Sequence, residues 1–368
     1  MSVLDLIEDL TDPRMEGKVK HNFASVIFVT LCGILSGCES WSDIKDYCET
    51  KLKWLEEYVE FPNGVPSEWT FRRVFTLLDP SHVESLLRTH ASSIVTKNNG
   101  DSDQIAVDGK ALCGSARQGI KCLHSVTAWC HENGLVLAET EVVDKSNEIS
   151  ALPFLLDSLD LKGNTVSIDA AGCQKSIAEI IKKKKGEYVL GLKRNHPKLY
   201  QAITDHIQIT GESDANKLHD SFDDSHGRCV RRRYFGYNIE KIPEAKDWVG
   251  AKSVIAVETI SSKNNDPESR VSSEWRYYLS SHSANNKKMP DYIRHHWGIE
   301  NRLHWVLDVQ MKEDDDQKSE RKSARSFALL KRIALNIVRS QDKTPKRSVK
   351  RKLKRAGWDN NYLISLLL

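Results

Sequence analysis

Residues 104–108 read QIAVD and residues 164–169 read NTVSID. Each is a short apolar run, rich in β-branched side chains, that stops at an aspartate. Each predicts a strand with an acidic residue at its carboxyl end. Between them, His124 to Cys130 and Leu135 to Val143 carry the same strand character. They are joined through His131-Glu132-Asn133-Gly134, and Asn-Gly is a strong hairpin signal. Residues 104–143 therefore predict a three-stranded meander. Beyond it the pattern alternates: a helix at Glu148 to Leu159, the 164–169 strand, a helix at Gln174 to Lys184, a strand at Glu187 to Lys193, and a helix from Pro197. A meander followed by crossover units predicts an α/β fold, a mixed sheet covered by helices.

The segments outside this stretch differ in character. Apolar residues recur at helical spacing through 20–38, 40–57 and 69–78, with breaks at Gly37, Pro62-Asn63-Gly64 and Asp79-Pro80. They predict a helical N-terminal domain over residues 1–100, ending near Asn98-Asn99-Gly100. Residues 208–287 hold patterned runs at Arg228 to Tyr237, Ser253 to Ile260 and Trp275 to Ser281 within polar loops, and read as a β-rich insertion in a domain spanning 101–340. Helical periodicity returns over Asp291 to Gln310 and Ser323 to Arg339. Residues 341–368 read as a basic tail: Lys343 to Arg355 holds eight basic residues and no acid, the type of block that contacts phosphates or simply stays solvated.

A chain of 368 residues with net charge +3 does not announce nucleic-acid binding through its overall balance. The N-terminus, MSVLDLIEDLTD, lacks a signal-peptide pattern, and the longest apolar stretch, Phe23 to Leu35, is too short to span a bilayer. The expectation is a cytoplasmic protein with no membrane association. Eight cysteines without a Cys-x-x-Cys pair read as reduced thiols. Cys122, His124, Cys130 and His131 fit no common zinc spacing.

Three carboxylates stand apart. Asp108 and Asp169 each end a strand, and sites in α/β sheets form at the carboxyl ends of strands. Two carboxylates side by side repel unless a cation lies between them. In the 291–310 helix, Ile293, His296, Trp297, Glu300, Leu303, His304 and Leu307 form one stripe at spacing three and four, which predicts that Glu300 turns inward. A buried carboxylate needs a partner. By spacing alone that partner is a metal ion, Arg294, Arg302 or a histidine. Asp308 and Glu313 to Asp316, farther along, read as solvated surface.

Longer segments narrow these alternatives. VKHNFASVIFVTLCGILSGCESWSDI at 19–44, IAVDGKAL at 105–112, EVVDKSNEISALP at 141–153, SIDAAGCQKSIAE at 167–179, RHHWGIENRLHWVLDVQMKEDD at 294–315, LLKRIALNIV at 329–338 and DNNYLISLL at 359–367 occur in this order. Over nearly the whole chain they resemble the H-repeat-associated insertion-sequence transposases. The resemblance implies a ribonuclease-H-like fold with a β-rich insertion and an Asp-Asp-Glu triad. Its first aspartate lies in the D-G-K motif, here Asp108. Its second lies in D-A-x-G-C-Q, here Asp169, and its glutamate in W-x-I-E-N, here Glu300. The implied activity is cleavage and rejoining of DNA at a Mg²⁺ site, with Mn²⁺ as an alternative ion. The implied partners are the element ends and target DNA, and the implied assembly is a homodimer close to the nucleoid. A nuclease that does not rejoin DNA, and a decayed copy that only binds it, are the competing readings.

Related transposases carry Tyr, Arg and Lys around the glutamate where this chain has Ile293, His296 and Leu307. The expected phosphate contacts therefore shift to Lys110, Lys193, Arg194, Arg228, Arg294 and Arg302. Trp297 is retained, and is expected either to stack on an unpaired base or to pack in the core. Ser225-His226-Gly227-Arg228 resembles a segment of the family's insertion. Lys193-Arg194-Asn195-His196 stands for the family's Lys-x-Asn-Gln, and His196 is expected there either to contact phosphate or simply to be tolerated at a helix start.

Overall fold

Val107 lies opposite Ile168, and Ile168 opposite Leu190, in successive parallel pairs. The apolar runs read from the sequence thus become the interior of a sheet. The computed structural model describes residues 3–95, 103–115, 122–142, 148–224, 228–263, 271–318, 320–342, 344 and 347–368. The expected boundary at Asn98-Asn99-Gly100 and the Ser225-His226-Gly227 segment lie outside the described residues. The strands are β1 (Gln104–Leu112), β2 (Leu123–Cys130), β3 (Leu135–Val142), β4 (Thr165–Ile168), β5 (Glu187–Leu192), β6 (Asn216–Asp223), β7 (Arg228–Asn238), β8 (Ser253–Lys263) and β9 (Ser272–Ser280). Their order is β3-β2-β1-β4-β5-β9-β8-β7-β6. The β2–β3 pair is antiparallel, while β1–β4 and β4–β5 are parallel. This is the mixed sheet of an α/β fold that the strand and helix pattern predicts.

The described chain divides into two compact units, and it passes from one to the other inside β1, after Asp108, and again after Ile299. One unit holds residues 98–108 and 148–299. Here β1, β4 and β5 are linked through helices α6 (Glu148–Asp157) and α7 (Lys175–Lys183). Helix α8 (Pro197–Thr210) leads into the insertion, whose strands β6 to β9 pair antiparallel and join the sheet through β9 on β5. Helix α9 (Met289–His296) packs on β4. Met289, Tyr292 and Ile293 enter an apolar cluster with Val189, Tyr234, Ile255 and Val257. Strand β6 was absent from the sequence reading. Most of its residues are not buried, so its sequence, NKLHDSFD, shows no apolar alternation to detect.

The other unit holds residues 1–97, 109–147 and 300–368. Its helices are α1 (Val3–Glu8), α2 (Phe23–Leu35), α3 (Trp41–Leu55), α4 (Glu68–Leu77), α5 (Pro80–Ile94), α10 (Arg321–Gln341), α11 (Val349–Trp358) and α12 (Asn360–Leu367). Helix α2 is buried on all sides, as its unbroken apolar composition requires. Asn22 caps its start by accepting from the Ser25 N–H. Helix α10 is its partner and is also buried along most of its length. Trp41 of α3 closes this core against Phe75 and Phe327. The residues expected as a basic tail include two packed helices. Leu353, Ala356, Tyr362, Leu363, Leu366 and Leu367 are buried, spaced at three and four, while the cations occupy intervening positions.

Candidate metal centre

Val107 and Ile168 are the last paired residues of β1 and β4 in their register, and each is followed directly by an aspartate. Adjacent strands lie about 4.8 Å apart. The register therefore sets Asp108 and Asp169 side by side at the carboxyl end of the sheet, within one unit. Asp108 is half-buried and Asp169 is exposed.

Asp169 is fixed by the turn that follows it. Its Oδ1 accepts from the N–H groups of Ala171 at 3.0 Å and Gly172 at 3.4 Å. Among the described residues no hydrogen bond engages Oδ2. The turn is fastened from outside by the Lys193-Arg194-Asn195-His196 segment. Asn195 Nδ2 donates to the Ala170 carbonyl at 2.8 Å, and His196 Nε2 donates to the Cys173 carbonyl at 2.6 Å. The His196 ring also stands edge-on to Trp248, so this histidine secures the Asp169 turn. Two glycines make the close approach possible. A Cβ on Gly191 would lie 3.1 Å from the Ala170 nitrogen, and one on Gly172 only 2.3 Å from Ile168 Cγ2. Asn195 and Gly191 carry no local signal of their supporting role, because nothing in the sequence shows that the residues after β5 reach the turn after β4.

A buried polar chain lies beneath the aspartates. Gln104 Nε2 donates to Ser167 Oγ at 2.8 Å and to the Tyr292 carbonyl at 2.7 Å. Ser167 Oγ and His296 Nδ1 share a hydrogen bond at 3.1 Å. Gln104 precedes Asp108 by four positions, Ser167 precedes Asp169 by two, and His296 precedes Glu300 by four. The chain thus locks α9 to the two strands that carry the aspartates. His296 is buried, which removes it from phosphate contact.

Glu300 and His304 belong to the other unit, with Nδ1 of His304 3.4 Å from Glu300 Oε2. Their side chains both offer ligand atoms. The inward stripe is corrected here. Ile293, His296, Leu303, His304 and Leu307 are buried, but Glu300 is exposed and Trp297 is 48% exposed. The expected continuous α-helix gives way to π-helical segments at Ile299–His304 and Val306–Gln310. A π-helix bonds i to i+5, which shifts the facing of successive side chains and lifts Glu300 off the three-and-four stripe.

Two further expectations change. Lys110 is buried, with Nζ 2.5 Å from Asp308 and 3.7 Å from Glu313, so its charge is committed to carboxylates and not offered to phosphate. The Asp308 to Asp316 run, read as solvated, is partly interior. Glu313 is 2% exposed and bonds Arg332, and Arg332 and Arg325 both bond Glu139, which accepts from Thr127 Oγ1 as well. Asp316 takes Lys318 and lies 3.7 Å from Lys331.

Lys193, Arg194, Arg294 and Arg302 are exposed. The Arg294 charge opposes the rise that burial imposes on the Tyr234 hydroxyl. Arg302 lies over the Trp129 ring at 5.2 Å. The Arg276 guanidinium covers the Trp297 ring at 5.7 Å, which leaves Trp297 at the surface and sets aside its core-packing alternative. Arg228 begins β7, and its side chain lies outside the described residues.

Residues 87–337 match the family described as the transposase DDE domain, and residues 4–91 match its associated domain, DDE_Tnp_1-associated. The chain is 37% identical to YncI of Escherichia coli O157:H7, with 100% of this chain and 94% of that protein covered. It is 35% identical to the H repeat-associated protein YhhI of Escherichia coli K12, with coverages of 99% and 97%. Both relatives are provisionally named as transposases. Among solved structures, a piggyBac transposase synaptic complex with hairpin DNA aligns at a TM-score of 0.44 and 10% identity, covering 99% of this chain and 79% of that one.

Proposed function

Since this chain belongs to the family of transposases with a DDE domain, we propose that it cleaves and rejoins DNA strands at a divalent-metal site held by Asp108, Asp169 and Glu300. The observation that carries this reading is the pair of aspartates at matching register on adjacent strand ends. The donor chemistry fits the ion: carboxylate oxygens suit Mg²⁺ or Mn²⁺, and Asp169 Oδ2 is not engaged by the turn. His304 orients Glu300 and adds a nitrogen donor.

When bound, the metal ions would supply charge neutralisation and activation of the attacking and leaving oxygens. The protein's own residues do the positioning. The backbone of the Asp169 turn, pinned by Asn195 and His196, holds one carboxylate at a fixed angle. The Gln104–Ser167–His296 chain fixes α9 on the two strands that end in the aspartates. Lys193, Arg194, Arg294 and Arg302 bind phosphates, and Trp297 stacks on an unpaired base at a cleaved end. Water attacks a phosphodiester at the element end and frees a 3′-hydroxyl. That hydroxyl then attacks a target phosphodiester, so one P–O bond forms as one breaks.

The test is incubation of the full chain with Mg²⁺ and the DNA that flanks its own gene, with products mapped at nucleotide resolution. Nicks at a defined element end, followed by joined products from precut ends, are expected. Asp108→Asn should lower cleavage by about a thousandfold or more while leaving DNA affinity nearly unchanged. Cleavage by that variant at the rate of the unaltered chain would overturn the assignment.

A further inference from the structure

The proposed function leaves the C-terminal cations unused, and the structure sorts them into two sets. Lys352 and Arg355 of α11 fasten the helix. Lys352 is buried and donates to the Asp342 carbonyl, while Arg355 lies over the Tyr362 ring at 4.2 Å and 3.7 Å from Asp359. Lys350, Arg351 and Lys354 are exposed, and among the described residues none of their side chains makes an ion pair. Positions 350, 354 and 358 follow one another at spacing four, so Trp358, 78% exposed, extends the face that Lys350 and Lys354 begin. The apolar side of the same helix, Leu353 and Ala356, is buried. Gly357 permits this seating, because a Cβ there would approach the Ser36 carbonyl oxygen to 3.1 Å.

This face has a defined neighbour within its unit. Helix α11 packs on the Val306–Gln310 segment, and the Lys350 N–H donates to Gln310 Oε1 at 2.9 Å. That segment continues from Glu300 through the exposed residues Asn301, Trp305 and Val309. Ten helical residues span roughly 15 Å, which is about four base pairs of duplex.

We propose that the exposed face of α11 binds the phosphate backbone of duplex DNA beside the bond that is cut, with Lys350, Arg351 and Lys354 on phosphates and Trp358 against the sugar-phosphate edge. Charge complementarity selects this occupant. Three cations without an ion pair among the described residues stand in a stretch, Lys343 to Arg355, that contains no acid, and duplex DNA presents a charge every 1.7 Å or so along its axis. The contact carries no base sequence, since these residues are long and reach the backbone. It sets where the duplex lies relative to Glu300, and in that respect it rests on the cleavage reading.

The experiment measures binding of the full chain to a labelled 30-base-pair duplex of arbitrary sequence, with metal chelated, across a salt series. Replacing Lys350, Arg351 and Lys354 together by Gln should lower the magnitude of the salt slope by about 2 to 3, at roughly 0.9 per lost phosphate contact. Affinity at 0.1 M salt should fall about tenfold to a hundredfold. Trp358→Ala should remove a DNA-dependent fluorescence change. The three lysine and arginine side chains are exposed, so the melting temperature should hold, and that measurement separates lost contact from lost fold. An unchanged salt slope in a folded triple variant overturns the proposal. So does a triple variant that loses binding to anionic lipid vesicles while retaining duplex affinity. Asp108→Asn serves as the control. If it still cleaves but the α11 variant loses its slope, the metal-site reading fails and this one stands. If cleavage depends on Asp108 but the slope is unmoved, the reverse holds.

Discussion

Asp169 is held by backbone N–H groups, and those N–H groups are held by a residue from another strand's end. This makes the second support testable by single substitutions. A methyl group at Gly191 would press on the backbone at Ala170, which cannot move without carrying Asp169 with it. Gly191→Ala should therefore reduce cleavage by about tenfold to a hundredfold, since small displacements of a catalytic group have that effect. Asn195→Ala removes the 2.8 Å bond to the Ala170 carbonyl and should act in the same direction, at a stability cost of about 1 kcal/mol. Cleavage assays beside melting curves check both: activity that falls only in proportion to folded fraction would mean the turn does not depend on these contacts. Of the two residue types, the aspartates were legible in the sequence because a strand ending in Asp is a local pattern. Asn195 was not, because its partner lies twenty-five positions away and on another strand's loop.

At the scale of elements, helix α10 shows where periodicity misleads. Its Arg325 and Arg332 are fully buried, and Glu139 of β3 is the acid common to both. Burial alone would raise the Glu139 carboxyl, but Arg332 and Arg325 beside it hold it well below the ordinary carboxylate range. Its contribution to stability is therefore complete above the unfolded value near 4.5 and is lost as the pH falls toward the lower folded value. Glu139→Gln should destabilise the chain by about 3 to 5 kcal/mol, because two guanidinium groups lose their shared acid. Denaturant titration at pH 7 reads this, and a change under 1 kcal/mol or so would show that the arginines find other partners. Helix α5 adds a second acid-sensitive group. Burial lowers His90 to about 4 from 6.5. The unfolded chain then takes up the proton first on acidification, so stability is full above pH 6.5 and declines below it, by about 2 kcal/mol at pH 5. His90→Leu should flatten the pH dependence between 6.5 and 4.5, and an unchanged slope in that window would refute the assignment. The strands and helices of the sheet were legible because their apolar residues have period. The π-helical turn after α9 and the interior role of Glu313 were not, since each depends on tertiary partners that local spacing does not encode.

For the whole molecule, the chain assembles its proposed site from residues that the sequence separates by almost two hundred positions. The order of strands explains how this is done for the two aspartates, and the buried chain from Gln104 to His296 explains why α9 keeps a fixed place on the strands behind them. Family membership implies a divalent ion, and the chemistry of these donors agrees. The direct measurement is Mn²⁺ binding by electron paramagnetic resonance, on the full chain and on Asp108→Asn, Asp169→Asn and Glu300→Gln. Bound Mn²⁺ is expected in the unaltered chain, and each single replacement should weaken it by about tenfold or more, with melting behaviour intact. Equal Mn²⁺ occupancy in all four folded proteins would contradict the assignment.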